Sequence, residues 1–399
     1  MKKKITVGTT VVLILLAALL TFQVTYHFVG LQYQAKVETL TKTQSDFSLL
    51  AEADPVIREN FLGEVDDEKA EIGLIQGYVS SLGDPYSAYL TAEEYTRYKK
   101  EKETTGSAIG VRLTFDSAQN RIVVYSVLQG SPAQKEGMLP GDVLTSVAGK
   151  KVEDLGFFEV MQLLHGEPGT KVDISVRREI AMQVLDMNFT VTRDKVKANA
   201  VAYSVLEGNV GYMQIFSFEE GAVSEFHTAV NALVSAQVRG IVFDVRNTSG
   251  GDATASIKML DRLLPEGIMV RTVNHKGEKK ELKSDATCLQ LPMAVLMNSE
   301  TSFSAEIFAA TLKDFGAATL VGEKTYGKSM EQKALELDNG SALLLSVLAY
   351  QPPVSPSFES AGIEPDVAVA LEGENIYLLD QKSDNQLQRA CALIIGENH

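Results

Sequence analysis

Cysteine is nearly missing from this chain. Cys288 and Cys391 are the only two among 399 residues, with no CxxC pair and no cluster of cysteine with histidine. That argues against a structural zinc site. The two are read either as buried free thiols or as one disulfide in an oxidising compartment. Histidine is also scarce: His27, His165, His227, His275 and His399 are scattered along the chain. Basic residues fall short of acidic ones, 37 against 52, for a net charge of −15. A surface of that sign does not attract nucleic acid.

Charge of either sign is absent from Ile5 to Ala35, and Val11 to Leu20 is continuously apolar. About 20 apolar residues in helix cross a bilayer. Lys2, Lys3 and Lys4 precede the run, and Phe22, Tyr26 and Phe28 suit the far interface. The run is not followed by a small-x-small cleavage site, so it is read as an uncleaved anchor and not a signal peptide. The lysines place the N-terminus in the cytoplasm. A single-pass cell-membrane protein follows, with everything beyond the anchor extracytoplasmic.

The remaining length is too great for one ordinary domain. Residues 36–100 carry apolar and charged positions at helical spacing, as in Val56-Ile57-Arg58-Glu59-Asn60-Phe61-Leu62, which predicts two or three short helices. Residues 101–180 predict a β-rich domain, with a strand over Ile122–Val127 and a short helix opened by Ser131 and Pro132. From Val210 strands and helices alternate. Ile241 to Val245 and Met293 to Met297 are almost wholly apolar, as in strands buried on both faces.

Six motifs then stand in one order. They are Gly83-Asp84-Pro85-Tyr86-Ser87-Ala88-Tyr89-Leu90, Ala108-Ile109-Gly110-Val111, and Ser131-Pro132-Ala133 through Pro140-Gly141-Asp142-Val143-Leu144. Arg246-Asn247-Thr248-Ser249-Gly250-Gly251, Thr325-Tyr326-Gly327-Lys328 with Gln332, and Gly362-Ile363-Glu364-Pro365-Asp366 follow. This series, covering residues 50 to 371, resembles the carboxyl-terminal processing, or tail-specific, proteases of the serine–lysine (S41) type. The resemblance implies an α/β protease core with crotonase- or Clp-protease-like layers over 181–371. It also implies an inserted PDZ domain over 101–180, the N-terminal transmembrane helix over 1–35 and a helical tail over 372–399. No metal or organic cofactor is implied. The partners would be proteins with free, apolar C-termini, and a homo-oligomer is left open.

The resemblance assigns roles residue by residue. Ile109, Gly110 and Val111 would bind the substrate's terminal carboxylate. A serine hydroxyl needs a base, and the scattered histidines do not supply one. A lysine serves once burial lowers its pKa, which points to Lys328, oriented by Gln332. Gly250, Gly251 and Ala305 would supply backbone N–H groups to the oxyanion.

The nucleophile segment departs from the pattern. It reads Asn298-Ser299-Glu300-Thr301-Ser302-Phe303-Ser304-Ala305-Glu306. Family members carry the serine three residues before the glutamate, and here that residue is Phe303. Two readings stay open. In the first, a one-residue slip at the strand-to-helix turn presents Ser304 (Ser302 being the lesser candidate), and the chain is an endopeptidase cutting near C-termini. In the second, the chemistry is lost and the chain is a PDZ-bearing binding protein. Ser304 serves only if the helix begins at or after it. A helix turns about 100° per residue, so a one-place shift inside it aims the side chain elsewhere.

Overall fold

The computed structural model describes residues 16, 19–29, 48–103, 108–116, 119–128, 130–180, 183–196, 199–286, 288–372 and 381–396. Lys2 to Lys4 and most of the predicted anchor lie outside them. No helix among the described residues is long and apolar enough to cross a membrane. Both cysteines are free thiols, Cys391 buried and Cys288 half-buried.

The chain divides into two units, 1–77 and 78–399. In the first, residues 19–29 are helical. Helix α1 (Ser48–Asn60) is tied to the start of α2 (Asp67–Ser80) by Arg58, which donates to Asp54 at 2.9 Å and to Asp67 at 2.5 Å.

The second unit begins with β1 (Ala88–Leu90) and α3 (Ala92–Glu103). The PDZ sheet follows: β2 (Val111–Asp116), β3 (Arg121–Val127), β4 (Val143–Val147), β5 (Lys150–Lys151), β6 (Lys171–Ile180) and β7 (Gln183–Thr192). They lie in the order β2-β3-β4-β6-β7, with β5 beside β4. Ser131 caps the short α4 (Pro132–Lys135), its hydroxyl accepting from Gln134 N, with Pro132 in the first turn. Both choices suit a helix start, where a free N–H needs an acceptor and proline loses nothing. Helix α5 (Phe157–Leu164) closes the small core by burying Val160 and Leu164 against Ile109, Ile122 and Val124. β7 pairs with β6 along its whole length, so this sheet runs on to Thr192, past residue 180.

The core sheet holds β8 (Val201–Leu206), β9 (Val210–Ile215), β10 (Ile241–Asp244), β13 (Met293–Met297), β14 (Ala318–Gly322) and β17 (Val367–Ala368). Its order is β17-β14-β13-β10-β9-β8, parallel except for the edge strand β8. Successive side chains face opposite ways. Ile241, Phe243, Met293, Val295 and Met297 thus meet one core, and Val242, Ala294 and Leu296 the other. The first is covered by α6 (Glu220–Ser235), α7 (Ala253–Asp261) and α8 (Ser304–Asp314). Phe226 and Phe243 stack there and Phe308 meets both edge-on, with ring centroids 5.5 to 6.2 Å apart. The second is covered by α9 (Asn385–Ile395) through Leu387, Ala390, Cys391 and Ile394. A second core sheet joins β1, β16 (Ala342–Gln351), β11 (Gly267–Asn274) and β12 (Lys279–Ser284) in that order, with β15 (Met330–Glu336) also on β16.

Candidate active site

The strand β13 ends at Met297 and α8 begins at Ser304, and the turn between them carries an unusual backbone. Phe303 has φ 51° and ψ −105°, at the N-cap of α8. Bulky residues avoid this region, at a cost of about 1–3 kcal/mol. Such a strained strand-to-helix turn is the device that lifts a nucleophile out of a sheet. Here it presents a phenyl ring. The ring is 6% exposed and meets Tyr350 of β16 edge-on, with centroids 5.8 Å apart.

Ser304 is the first residue of α8. It is fully buried, and its hydroxyl is enclosed with no hydrogen-bond partner among the described residues. It therefore makes no bond to Lys328. Its carbonyl accepts from Ser256 Oγ at 2.9 Å. Ser302 precedes the elbow, with its amide on Thr248 O at 3.0 Å. The helix does begin at Ser304, as the slipped reading needs, but the turn has placed Phe303 at its apex. The Ala305 amide turns back to Ser302 O at 3.3 Å. The amide next to the elbow residue is that of Ser304.

Lys328 and Gln332 are brought together. Lys328 Nζ donates to Gln332 Oε1 at 2.8 Å. Gln332 is the third residue of β15, and its Nε2 donates to the Tyr86 carbonyl. Lys328 Nζ also lies 4.7 Å from the centroid of the Tyr86 ring. Burial, with Glu359 nearby, pushes the Tyr86 phenol up to about 12.

Glu306 joins the elbow to the lysine turn. Its Oε1 accepts from Thr325 Oγ1 at 2.5 Å and Gly327 N at 2.7 Å. Its Oε2 accepts from Lys328 N at 2.8 Å and Phe303 N at 3.0 Å. The Phe303 and Lys328 amides thus share one oxygen. Burial raises the Glu306 pKa against the pull of these four bonds. Neither Glu306 nor Tyr86 was assigned a role from sequence. A lone glutamate in the apolar run Ser304-Ala305-Glu306-Ile307-Phe308 was the available signal, because such a carboxylate needs buried donors.

Gly250 and Gly251 follow β10 with φ of 71° and 87°. At Gly251 a side chain is also excluded by space, since a Cβ would stand 2.9 Å from Phe218 Cβ. This turn is anchored at three points. Asn247 N donates to Asn298 Oδ1 at 3.0 Å, and Asn298 Nδ2 returns a bond to Asn247 Oδ1 at 3.1 Å. Arg246 is held by Asp244 at 2.6 Å, Asp384 at 2.7 Å and Gln386 at 3.0 Å. Burial opposes its charge, but the two carboxylates outweigh it and hold the pKa well above the usual arginine value. Tyr125 of the PDZ strand β3 donates to Arg246 O at 3.3 Å.

In the PDZ loop, Ile109 is fully buried. Its carbonyl accepts from Ala133 N at 2.9 Å, and that of Gly110 from Leu128 N at 2.9 Å. Gly110 has φ 83°, and a Cβ there would lie 2.2 Å from Ser131 Cβ, so glycine alone fits. Val111 opens β2, whose outer edge pairs with no strand among the described residues.

An α/β core with a lysine–glutamine pair, a strained elbow and a PDZ module is the build of a tail-processing serine protease. Comparison with known proteins agrees. Residues 209–369 match the Peptidase family S41, 107–191 the PDZ domain and 17–94 the activating protease CtpB N-terminal domain. The chain is 30% identical over 329 residues to the carboxy-terminal processing protease CtpA of Bacillus subtilis, covering 82% of this chain and 70% of that one. It is 29% identical to a carboxyl-terminal-processing protease of Synechocystis, over 81% and 76% of the two chains. The solved photosystem II D1 C-terminal processing protease superposes with a TM-score of 0.56 at 26% identity, over 79% and 86%. A Bacteroides fragilis structure described as a putative S41 protease reaches 0.61 at 17% identity, over 87% and 97%, a likeness of fold. The chain belongs to the carboxy-terminal processing protease family of S41 peptidases, with its PDZ domain.

Proposed function

We propose that this chain captures the C-termini of other proteins and does not cut them. One observation carries the reading: the apex of the elbow is Phe303, and phenylalanine has no atom that can attack a carbonyl. The PDZ loop over Ile109, Gly110 and Val111 supports capture. A tail would bring its carboxylate to the loop amides and add as a strand to the open edge of β2. Apolar C-terminal residues suit the half-buried Val111 and Leu113.

Hydrolysis through Ser304 is the second reading, favoured by the intact Lys328–Gln332 bond. It requires the Ser304 hydroxyl to leave its enclosure. In that case Lys328 would take the hydroxyl proton, Gln332 would orient the lysine, and Gly250, Gly251 and Ala305 would face the oxyanion. Purified chain incubated with unfolded casein separates the two. No fragments above a buffer control are expected. Cleavage that disappears in Ser304→Ala would overturn the proposal.

The capture is placed outside the cytoplasmic membrane, because Lys2 to Lys4 precede the charge-free run Ile5 to Ala35. Protease added to intact spheroplasts should digest the ectodomain, residues 31–399. Full protection, with digestion only after lysis, would reverse this orientation.

A further inference from the structure

Gly83 to Leu90 begins as a turn and ends in β1, and the turn touches the lysine site. Asp84 builds it. Asp84 Oδ1 accepts from Tyr86 N at 3.0 Å, and Oδ2 accepts from Ser87 Oγ at 2.5 Å. An aspartate that takes donors two and three residues ahead makes a tight turn from its own side chain. The turn is then pinned to β16. Ala88 of β1 pairs with Leu344, and Ser87 Oγ accepts from Ser346 N at 3.3 Å. Ser346 is also the β16 residue opposite Gln332 of β15.

Tyr86 meets the lysine turn with three of its parts. Its carbonyl accepts from Gln332 Nε2, its ring centroid lies 4.7 Å from Lys328 Nζ, and its phenol reaches Gly327 O at 3.5 Å. The carbonyl contact settles the sense of the Gln332 amide. A carboxamide has two ends of nearly equal size, an accepting oxygen and a donating NH₂. Packing alone does not choose between them. The Tyr86 carbonyl can only accept, so it takes the NH₂ end and leaves Oε1 for Lys328 Nζ at 2.8 Å. With that carbonyl displaced, the amide is free to turn its NH₂ toward the lysine, and Nζ loses its acceptor. We infer that Asp84 is a positioning residue of the lysine site: through Tyr86 it fixes the sense of the Gln332 amide and so presents an oxygen to Lys328. The inference concerns the lysine and not the nucleophile, so it goes beyond the question of whether the chain cuts.

Asp84 is also a charge close to Lys328. Burial opposes that charge, but the bonds from Ser87 and the Tyr86 amide, with Lys328 nearby, hold its pKa below the usual aspartate value. Two more carboxylates border the lysine turn. Glu306 takes the Lys328 amide at 2.8 Å and Glu359 the Ser329 amide at 2.6 Å, and the phenol of Tyr326 stands by that of Tyr86. Substitution separates the charge of Asp84 from its place in the turn. Asparagine drops the charge and keeps an oxygen for Tyr86 N. Its NH₂ can donate to Ser87 Oγ, since a hydroxyl accepts as well as donates. Alanine removes both oxygens.

The test reads Lys328 in the full chain. Brief acylation with acetic anhydride is run across a pH series, and peptide mass spectrometry gives the modified fraction at position 328. Accessibility scales the rate, whereas the pH midpoint follows the charge on Nζ. An oxygen accepting from Nζ favours the ammonium, so its loss moves the midpoint down. Asp84→Ala should lower the midpoint by about one pH unit, a roughly tenfold gain in reactive amine below it. Asp84→Asn should restore most of the native value. Gln332→Leu should fall as Asp84→Ala does, and the double variant should fall no further, because Asp84 acts through Gln332. Native amide-exchange protection of Met293 to Met297 checks that each variant keeps its core. Equal falls in the asparagine and alanine variants would assign the effect to charge and overturn the inference. Additive falls in the double variant, or an unmoved midpoint in Asp84→Ala or in Gln332→Leu, would overturn it as well. Should Asp84→Ala lose its core protection, Asp84→Asn decides alone: a full-unit fall, in the native or the Gln332→Leu background, overturns the inference, and a midpoint near that of the parent chain in both supports it.

Discussion

Replacing Phe303 by serine is expected to switch on peptide-bond cleavage in this chain. The elbow already holds the backbone that a nucleophile needs, at φ 51° and ψ −105°. The Phe303 and Lys328 amides are fixed on the same Glu306 oxygen. Gln332 and the Tyr86 ring hold Lys328 Nζ in place, where its neutral amine would take the hydroxyl proton. The Gly250–Gly251 turn is tied to Ser302 through Thr248. What the site lacks is the attacking oxygen. Loss of a serine nucleophile costs about 10⁶ in kcat in a serine protease. Restoring it in a site not tuned for it should recover part of that, roughly 10²-fold or more over the native chain on unfolded casein. A fluorophosphonate probe should label the variant at position 303 and leave the native chain unmodified. Adding Lys328→Ala should return cleavage to the buffer level, which ties the gain to the lysine. Removing the ring from its contact with Tyr350 also costs stability, about 3–5 kcal/mol for a ring this enclosed. Native amide-exchange protection of Met293 to Met297 in Phe303→Ser would show that the variant's core is folded. A folded variant that cleaves nothing and takes no label would mean that the site is closed for a reason beyond the missing hydroxyl.

The parts of this fold that could be read from sequence are those whose physics is local. Met293 to Met297 reads as a strand because every residue is apolar and both faces are covered, by α8 on one side and α9 on the other. The cap at Ser131 and Pro132 is legible for the same reason, since a helix start has few chemical solutions. β7 was not legible. Only Phe189 and Val191 of its ten residues are buried, so its alternation is weak. β12, with Lys279, Lys280, Glu281 and Lys283 exposed or half-exposed, hides in the same way as a charged edge strand. At the site, motif order located Lys328, Gln332 and the glycine turn. The contacts that organise them were out of reach, because they join distant segments. The Gln332 side chain donates to a carbonyl 246 residues away. The placement of Ser304 depends on a single dihedral pair at Phe303, which no composition or spacing encodes.

Glu306→Ala should unfasten this site from within. The substitution is small in volume, yet it removes the acceptor of four donors at once: Phe303 N, Thr325 Oγ1, Gly327 N and Lys328 N. Glu306, Phe303 and Thr325 are buried, so water does not readily replace the lost oxygens. A buried donor left unsatisfied costs about 1–3 kcal/mol. With three or four affected and some relaxation of the turn, the core should lose about 3–5 kcal/mol. That is a large share of an ordinary domain's stability. The chain has more than one domain, so one unfolding midpoint would mix their contributions. Amide hydrogen exchange resolves the effect by position. Gly327, Lys328 and Phe303 should exchange faster by two orders of magnitude or more, which is the scale of about 3 kcal/mol. The Ile122 and Val124 amides in the PDZ sheet should keep their native rates. Glu306→Gln offers one carbonyl oxygen, enough for two of the four donors, while its NH₂ group faces the other two. It should therefore fall between the native chain and alanine, with the lost protection confined to one pair. Equal protection of the Phe303, Gly327 and Lys328 amides in glutamine and native chains would show that the carboxylate's second oxygen is dispensable, and that the elbow and lysine turn are held together by the surrounding core alone.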